Sequence, residues 1–306
     1  MHDIIIIGGG PAGMTAALYA IRNGKSALVL EKGGFGGQIT YSPRVENFPG
    51  TLSMSGNEFA DKMLEQILAQ GAEVEVETVT EIKDDGGFKR VITECGTTFD
   101  AKAVIIATGV KHRMLGLDGE YELVGNGISF CAVCDGEYYR DQTVAVAGGG
   151  NSALQEATLL ADVCKEVIMV QDLDYFTGEA KLIEALMARP NVRALTGTAI
   201  ESIKTEDGAL TGLKLRNKAT DETLELPCDG LFVAIGLIPE NGAFSELVPL
   251  DNAGYIASGE DCETGRPGVY AAGDCRKKHL RQLTTASADG AVSAIAACEY
   301  INRSFK

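Results

Sequence analysis

Cys131 and Cys134 are separated by two residues and followed at once by Asp135. That spacing brings two sulfurs within bridging distance. The pair can then cycle between dithiol and disulfide, one thiolate of lowered pKa attacking a partner's disulfide and the other resolving the mixed disulfide. An adjacent carboxyl could donate and accept the thiol protons, or it could cap a helix; one role does not preclude the other. Two blander readings of the pair stay open. One is a zinc site, although structural zinc takes four ligands, commonly two such pairs. There is no second pair here, and His2, His112 and His279 are scattered. The other is a pair of buried apolar cysteines without chemistry. The remaining six, Cys95, Cys164, Cys228, Cys262, Cys275 and Cys298, are solitary. In a reducing compartment a lone Cys-x-x-Cys points to catalysis or metal binding rather than to a structural staple.

Glycine supplies the second chemical signal. Residues 4–7 are all Ile and run into Gly8-Gly9-Gly10-Pro11-Ala12-Gly13. Residues 144–147 are Val-Ala-Val-Ala and run into Gly148-Gly149-Gly150-Asn151-Ser152-Ala153. A helical pattern follows each turn, through Ala16, Ala17, Tyr19 and Ala20 in the first and Leu154, Ala157, Leu159 and Leu160 in the second. Further apolar strands follow at residues 26–30 and 166–170. This is one βαβ unit read twice. In such a turn the first Gly reverses the chain, the second lets backbone approach a pyrophosphate, and the third lets helix pack on strand. The phosphates sit on the helix N-terminus, where free N–H groups and the dipole favour negative charge. An acidic residue about 20 residues on should hold a ribose diol. Glu31 occupies that place in the first unit; the same offset in the second gives Gln171.

Three more stretches support two nucleotide-binding folds. Residues 103–106 are an apolar strand ending in the small-residue turn Ala107-Thr108-Gly109, and residues 231–236 echo it in the second half. Near the end, Val269-Tyr270-Ala271-Ala272-Gly273-Asp274 delivers a carboxylate after a glycine. That carboxylate could accept hydrogen bonds from a polyol chain, or cap the helix expected over about residues 285–300.

With 306 residues the chain has room for about two domains. It carries 27 Lys and Arg against 43 Asp and Glu, a net charge of −16, which disfavours nucleic-acid backbones and anionic membrane surfaces. Hydrophobic residues at 45% and charged residues at 23% describe an ordinary globular protein. No apolar run reaches the length of a membrane span, and no leader pattern precedes the first strand, so the expected location is the cytoplasm.

Taken together these residues resemble the bacterial low-molecular-weight thioredoxin reductase family. The resemblance rests on the first glycine motif, Gly36-Gly37-Gln38, Glu46-Asn47-Phe48-Pro49-Gly50, Ala107-Thr108-Gly109, Cys131-Ala132-Val133-Cys134-Asp135, the second glycine motif, Gly273-Asp274 and Arg281-Gln282. The most specific part is the Cys pair with its Asp, placed just before the second glycine motif. The resemblance implies an α/β protein of two Rossmann-like, three-layer dinucleotide-binding domains, the second inserted in the first. Residues 1–112 and 242–306 would form an FAD-binding domain, and residues 113–241 a nicotinamide-type domain carrying the Cys pair. It also implies a homodimer whose domains rotate against each other, with hinges around residues 111–116 and 239–242. Gly8, Gly10, Pro11, Ala12, Gly13, Glu31, Lys32, Gly37, Gln38, Asn47, Ala107, Thr108, Gly109, Gly273, Asp274, Arg281, Gln282 and Leu283 would hold FAD. Gly148, Gly150, Asn151 and Ser152 would face the nicotinamide dinucleotide. Cys134 would be the flavin-side sulfur, Cys131 the attacking one and Asp135 the proton donor and acceptor, with no metal.

The chain departs from that family at one place. NADPH-using members carry His-Arg-Arg and a further Arg after the second strand of the inserted domain. Here the stretch reads Gln171-Asp172-Leu173-Asp174-Tyr175-Phe176-Thr177, so the arginine positions hold Asp172, Leu173 and Thr177. A 2′-phosphate loses its guanidinium clamp and meets carboxylates instead. The expectation is a disulfide reductase acting on thioredoxin or a similar small redox protein and using NADPH poorly, with NADH or reduced ferredoxin as donor. Rescue of NADPH by Lys181 or Arg189 is the competing outcome. A small-molecule dithiol oxidase using oxygen and a non-catalytic flavin redox sensor are alternative functions for the same residues.

Overall fold

The computed structural model describes residues 1–305. The isoleucines at positions 4–7 all lie in β1 (His2–Ile7) and are at most 5% exposed. An uninterrupted apolar run of this kind belongs to a parallel strand buried on both faces. After β1 comes α1 (Pro11–Arg22), which opens with Pro at its first position, where the missing N–H costs no hydrogen bond. β2 (Ala27–Glu31) then pairs parallel with β1. α2 (Gly56–Ala69) is capped by Ser55, whose hydroxyl accepts the Glu58 N–H at 3.1 Å. β3 (Glu73–Val76) adds to the β2 edge. β4 (Val79–Asp84), β5 (Lys89–Thr93) and β6 (Thr98–Ile106) form an antiparallel meander, with β6 running parallel to β1.

The chain divides into two units, residues 1–111 with 238–306 and residues 112–237. β7 (Val110–His112) and β16 (Leu237–Pro239) carry the two crossings and pair with each other. Within the inserted unit, β8 (Ile128–Ser129) leads into the short helix α3 (Ala132–Asp135). The second repeat follows as β9 (Thr143–Ala147), α4 (Asn151–Leu160) and β10 (Glu166–Val170), the last strand falling on the residues expected for it. α5 (Ala180–Met187) and β11 (Val192–Leu195) come next, then the meander β12 (Thr198–Glu206), β13 (Ala209–Asn217) and β14 (Thr223–Pro227), and β15 (Gly230–Val233). Back in the first unit, β17 (Val269–Ala271) pairs parallel with β6, and α6 (Leu283–Ser304) is the last element.

Both units are Rossmann-like. The first has strand order β3-β2-β1-β6 with β17 on β6, and the second has β11-β10-β9-β15-β8. In the first unit, Ile4, Ile6, Val29 and Ile105 face the core shared with α1 and α6, while Ile5, Ile7, Leu30 and Ile106 face Val91, Phe244 and Val248. In the second, Val144, Val146 and Met169 pack under α4 and α5, while Ala145, Ile168 and Val170 pack against Leu213 and Leu215 of β13. Each parallel sheet is therefore coated by helices on one face only. The third layer is antiparallel strand rather than more helix, clearest in the second unit. Asp274 does not start the last helix. It sits in a 3₁₀ turn, Gly273–Cys275, and α6 begins eight residues later behind a capping box of Gln282 and Thr285.

Candidate active site

The Cys pair sits where strand β8 turns into helix α3. Cys131 is the N-cap of α3, in an extended conformation with φ −149° and ψ 100°. Its Sγ accepts the Cys134 N–H at 3.2 Å, and its carbonyl accepts the Asp135 N–H at 3.0 Å. The single helical turn places the two Cα atoms 5.3 Å apart with the sulfurs joined in a disulfide. Of the three readings open from spacing alone, this is the redox one. Val133, between the cysteines, is 59% exposed, which leaves the turn accessible to an incoming chain on this unit's surface.

Asp135 closes the turn from within. Its Oδ2 accepts the Ser129 hydroxyl at 2.5 Å, and Ser129 Oγ in turn accepts the Cys131 N–H at 3.1 Å. Its other oxygen, Oδ1, is buried with no protein partner. Burial pushes the Asp135 carboxyl up, against the pull of the Ser129 hydrogen bond. A carboxyl pushed up by burial beside a disulfide can give and take the thiol proton. The helix-capping alternative is not what its side chain does: the following 3₁₀ turn, Gly136–Tyr139, receives no cap bond from it. His112 stacks on Phe130 at 4.3 Å, and burial lowers it to about 4, so it brings no positive charge to the Cys turn. Buried Cys164, Cys228 and Cys262 have thiols pushed up by burial to about 11, 12 and 12, far from reactive thiolates.

In the first unit the glycine turn is built by close contacts. A Cβ on Gly8, which has φ +114°, would fall 2.2 Å from the Ala107 carbonyl, and one on Gly13 would fall 1.9 Å from the Gly8 carbonyl. Gly10 is the N-cap of α1 and offers no side chain, so neither it nor Pro11 and Ala12 covers the helix N-terminus. Glu31 ends β2 and reaches back to this turn, accepting the Gly9 N–H at 2.6 Å and the Gly33 N–H at 2.9 Å. Lys32 pairs with Glu240. Gly37 and Gln38 lie in a 3₁₀ turn over Gly37–Tyr41. Asn47 donates to Gln282 Oε1 at 3.3 Å, bringing two distant motifs together. The turn after β6 holds Ala107, Thr108 and Gly109, and the Thr108 hydroxyl bonds Asn241 at 2.9 Å. Leu283 is the first residue of α6. The Arg281 guanidinium lies 4.2 Å from the Tyr255 ring centroid and donates to the Asp274 carbonyl at 3.4 Å.

Asp274 is the most informative residue of this unit. Its Oδ1 is buried without a protein partner, and burial raises its carboxyl to about 6. It is held in place by residues with no sequence signal of their own. The Asp289 carboxylate accepts the Gly273 N–H at 3.0 Å, a fork from Arg276 at 2.8 Å and 2.8 Å, and Lys278 at 2.8 Å. Asn241, 1% exposed, ties the Gly254 and Cys275 carbonyls. These residues act through tertiary contacts across long sequence separations, and no local pattern marks them.

The second glycine turn keeps its backbone. Gly148 has φ +130°, and a Cβ there would fall 2.5 Å from the Ala234 carbonyl. Gly150 is the N-cap of α4, and the helix opens with Asn151 and Ser152. Asn151 exchanges hydrogen bonds with Glu179, accepting its N–H at 2.7 Å and donating to its carboxylate at 3.0 Å. Gln171 is buried beneath Gly149 and donates to the Tyr175 carbonyl at 3.3 Å. The basic group paired with the acidic stretch comes from elsewhere than Lys181 or Arg189. Lys218 from the end of the β12–β14 meander pairs with Asp172 at 3.6 Å, while Arg189 pairs with Asp162.

Two dinucleotide folds, one carrying a disulfide with a raised carboxyl beside it, define an oxidoreductase acting on a sulfur group. The chain belongs to the pyridine nucleotide-disulphide oxidoreductase family, whose model matches residues 2–290. It is 40% identical over 301 residues to a thioredoxin reductase of Listeria monocytogenes, covering 98% of this chain and 94% of that one. It is also 40% identical to a bifunctional thioredoxin reductase/thioredoxin of Mycobacterium leprae, covering 96% of this chain and 65% of the longer relative. The crystal structure of thioredoxin reductase from Streptococcus pyogenes superposes with a TM-score of 0.94 at 38% identity, covering 99% of both chains. The family implies FAD and a nicotinamide cofactor. The first unit fits FAD on its own terms: an uncapped glycine turn suits a pyrophosphate, and the unpartnered Asp274 oxygen suits a polyol hydroxyl.

Proposed function

We propose that this chain is a flavin-dependent disulfide reductase that reduces thioredoxin or a thioredoxin-like protein through Cys131 and Cys134. The observation that carries this reading is the Cys131–Cys134 disulfide on an accessible turn backed by Asp135, whose carboxyl burial pushes up. The named relatives add thioredoxin as the partner class, one of them carrying a thioredoxin in the same chain.

FAD, when bound, would supply a two-electron carrier between the donor and the disulfide. The glycine turn at Gly8, Gly10 and Gly13 would take its pyrophosphate, and Asp274 would accept from its polyol chain. Once the pair is reduced, the Cys131 thiolate attacks the partner's disulfide and displaces one partner sulfur. Cys134 then attacks Cys131, re-forming the S–S bond and releasing the partner's second sulfur. The partner gains two electrons and two protons, and in this reading Asp135 passes one of those protons.

The donor in this reading is NADH or reduced ferredoxin. Asp172 and Asp174 stand where a 2′-phosphate would be clamped. Lys218 is already committed to Asp172 and provides a single ammonium rather than a guanidinium fork. Anaerobic stopped-flow reduction of the yellow protein by NADH, NADPH and reduced ferredoxin in turn, followed by addition of oxidised thioredoxin, tests both parts. Rapid reoxidation by thioredoxin supports the reductase. Reoxidation by air alone would replace it with an oxidase, and no turnover with any disulfide would leave a sensor. Faster reduction by NADPH than by NADH at low concentration would overturn the donor assignment.

A further inference from the structure

Glu156 lies on α4, which packs against the Cys turn, and no step of the disulfide exchange described above uses it. Its carboxylate accepts a hydrogen bond from the backbone N–H of Ala132, the residue between Cys131 and Val133. Its Oε2 is buried with no protein partner, as is Oδ1 of Asp135. The Cys turn is thus fastened by two carboxyls. Asp135 reaches the Cys131 amide through Ser129, and Glu156 takes the Ala132 amide directly.

The elements packed on α4 carry Asp135 on α3, Lys181 and Glu184 on α5 and Glu166 on β10, and among the described residues it is the Asp135 charge that acts on Glu156. Tyr139, on the turn after Asp135, is raised to about 12 by burial and by that same carboxylate, so it stays neutral. Burial pushes the Glu156 carboxyl up to about 8 against the Ala132 amide, and the Asp135 charge adds to the rise. A carboxyl in this setting holds its proton at neutral pH and responds to any new negative charge beside it.

We propose that Glu156 is a second proton-holding group of the redox disulfide, a positioning residue that binds one proton from solvent when the pair is reduced in alkaline solution and returns it when the pair is reoxidised. Reduction breaks the S–S bond and leaves two electrons on the sulfurs. Sulfurs remaining as thiolates place negative charge against two carboxyls with buried oxygens, where low dielectric makes the repulsion strong. Protonation of Glu156 relieves it. Reoxidation re-forms the S–S bond, passes the two electrons to the partner's disulfide and releases that proton. The proposal rests on the reading that Cys131 and Cys134 cycle.

The test is the redox equilibrium of the holoenzyme against reduced and oxidised dithiothreitol, read by alkylation of Cys131 and Cys134, from about pH 6 to about pH 10. Glu156→Gln keeps the acceptor for Ala132 and removes the titration. Above about pH 8, wild type should take up one more proton per two electrons than the variant, an extra tenfold per pH unit in the equilibrium constant or about 30 mV. The titrant's own pH dependence is common to both and cancels. Asp135→Asn removes the neighbouring charge, so there the extra step should begin at lower pH. Equal slopes in wild type and Glu156→Gln would overturn the role of Glu156 while leaving the disulfide reading intact. Should Glu156→Gln not fold, an unmoved step in Asp135→Asn would overturn it. A pair that never cycles in the wild type would overturn both.

Discussion

Asp289→Ala should destabilise the first unit and loosen its hold on FAD. Asp289 is the carboxylate that pairs closely with the Arg276 guanidinium, at 2.8 Å, and Arg276 is 2% exposed. Burial pushes the Asp289 carboxyl up, yet the Arg276 and Lys278 hydrogen bonds outweigh it and hold it below its ordinary value. Removing the carboxylate leaves Arg276 with the Lys277 carbonyl at 3.3 Å and the 94% exposed Glu260 at 3.5 Å. Lys278, 5% exposed at its side chain, loses its partner as well. Stranding a buried cation this way costs about 3–5 kcal/mol, mostly the penalty of the unpaired charge rather than the worth of the pair. The Gly273 N–H loses its acceptor too, at about 1–3 kcal/mol if it stays dry. Urea unfolding of the FAD-free chain by circular dichroism reads the first effect, and flavin fluorescence rising on release reads the second. A triple change of Asp289, Arg276 and Lys278 to Leu, Met and Met should recover much of the stability but not the seat of Gly273. A loss under about 1 kcal/mol in Asp289→Ala, with FAD retained as in wild type, would refute the reasoning.

Gly13→Ala should lose FAD outright, since its Cβ would fall 1.9 Å from the Gly8 carbonyl; the check is the flavin-to-protein ratio after gel filtration. Cys131→Ser and Cys134→Ser should each abolish turnover with oxidised thioredoxin, whereas exposed Cys95→Ser should leave it unchanged. Asp274 binds its proton more tightly folded than unfolded, so its contribution is complete below its ordinary value of 3.8 and lost as pH rises through about 6. At 1.36 kcal/mol per unit this amounts to about 3 kcal/mol, so FAD-free Asp274→Asn should gain stability over wild type at neutral pH but not near pH 4 in urea titrations. Asp172→Arg combined with Asp174→Ala should raise the rate with NADPH relative to NADH by about tenfold or more, equivalent to about 1.4 kcal/mol of phosphate recognition; an unchanged ratio would remove the charge argument.

The parts of this protein written in short-range pattern were legible without coordinates. Four consecutive isoleucines before Gly8 demand a strand buried on both faces, and glycines where a Cβ would strike a carbonyl demand a turn that only glycine can make. Two residues between Cys131 and Cys134 put a disulfide within reach, and the repeat of the βαβ pattern at Gly148 identified a second such fold. Tertiary structure decided what stands behind those residues. Ser129 reaches Asp135, Glu156 on α4 takes the Ala132 amide, and Lys218 comes back from a meander to Asp172. Asp289 supports Gly273 from sixteen residues away, and Asn241 supports Thr108 from more than a hundred. The physical reason is the range of the interactions. Steric limits on φ and ψ and the period of buried side chains act between near neighbours and so leave a mark in the order of residues. Desolvation and hydrogen bonding of a buried carboxyl depend on whichever atoms the fold brings around it, so the raised carboxyls of Asp135 and Asp274 leave no mark in the sequence although their positions do, and Glu156 looks like any other acidic residue until that surrounding is known.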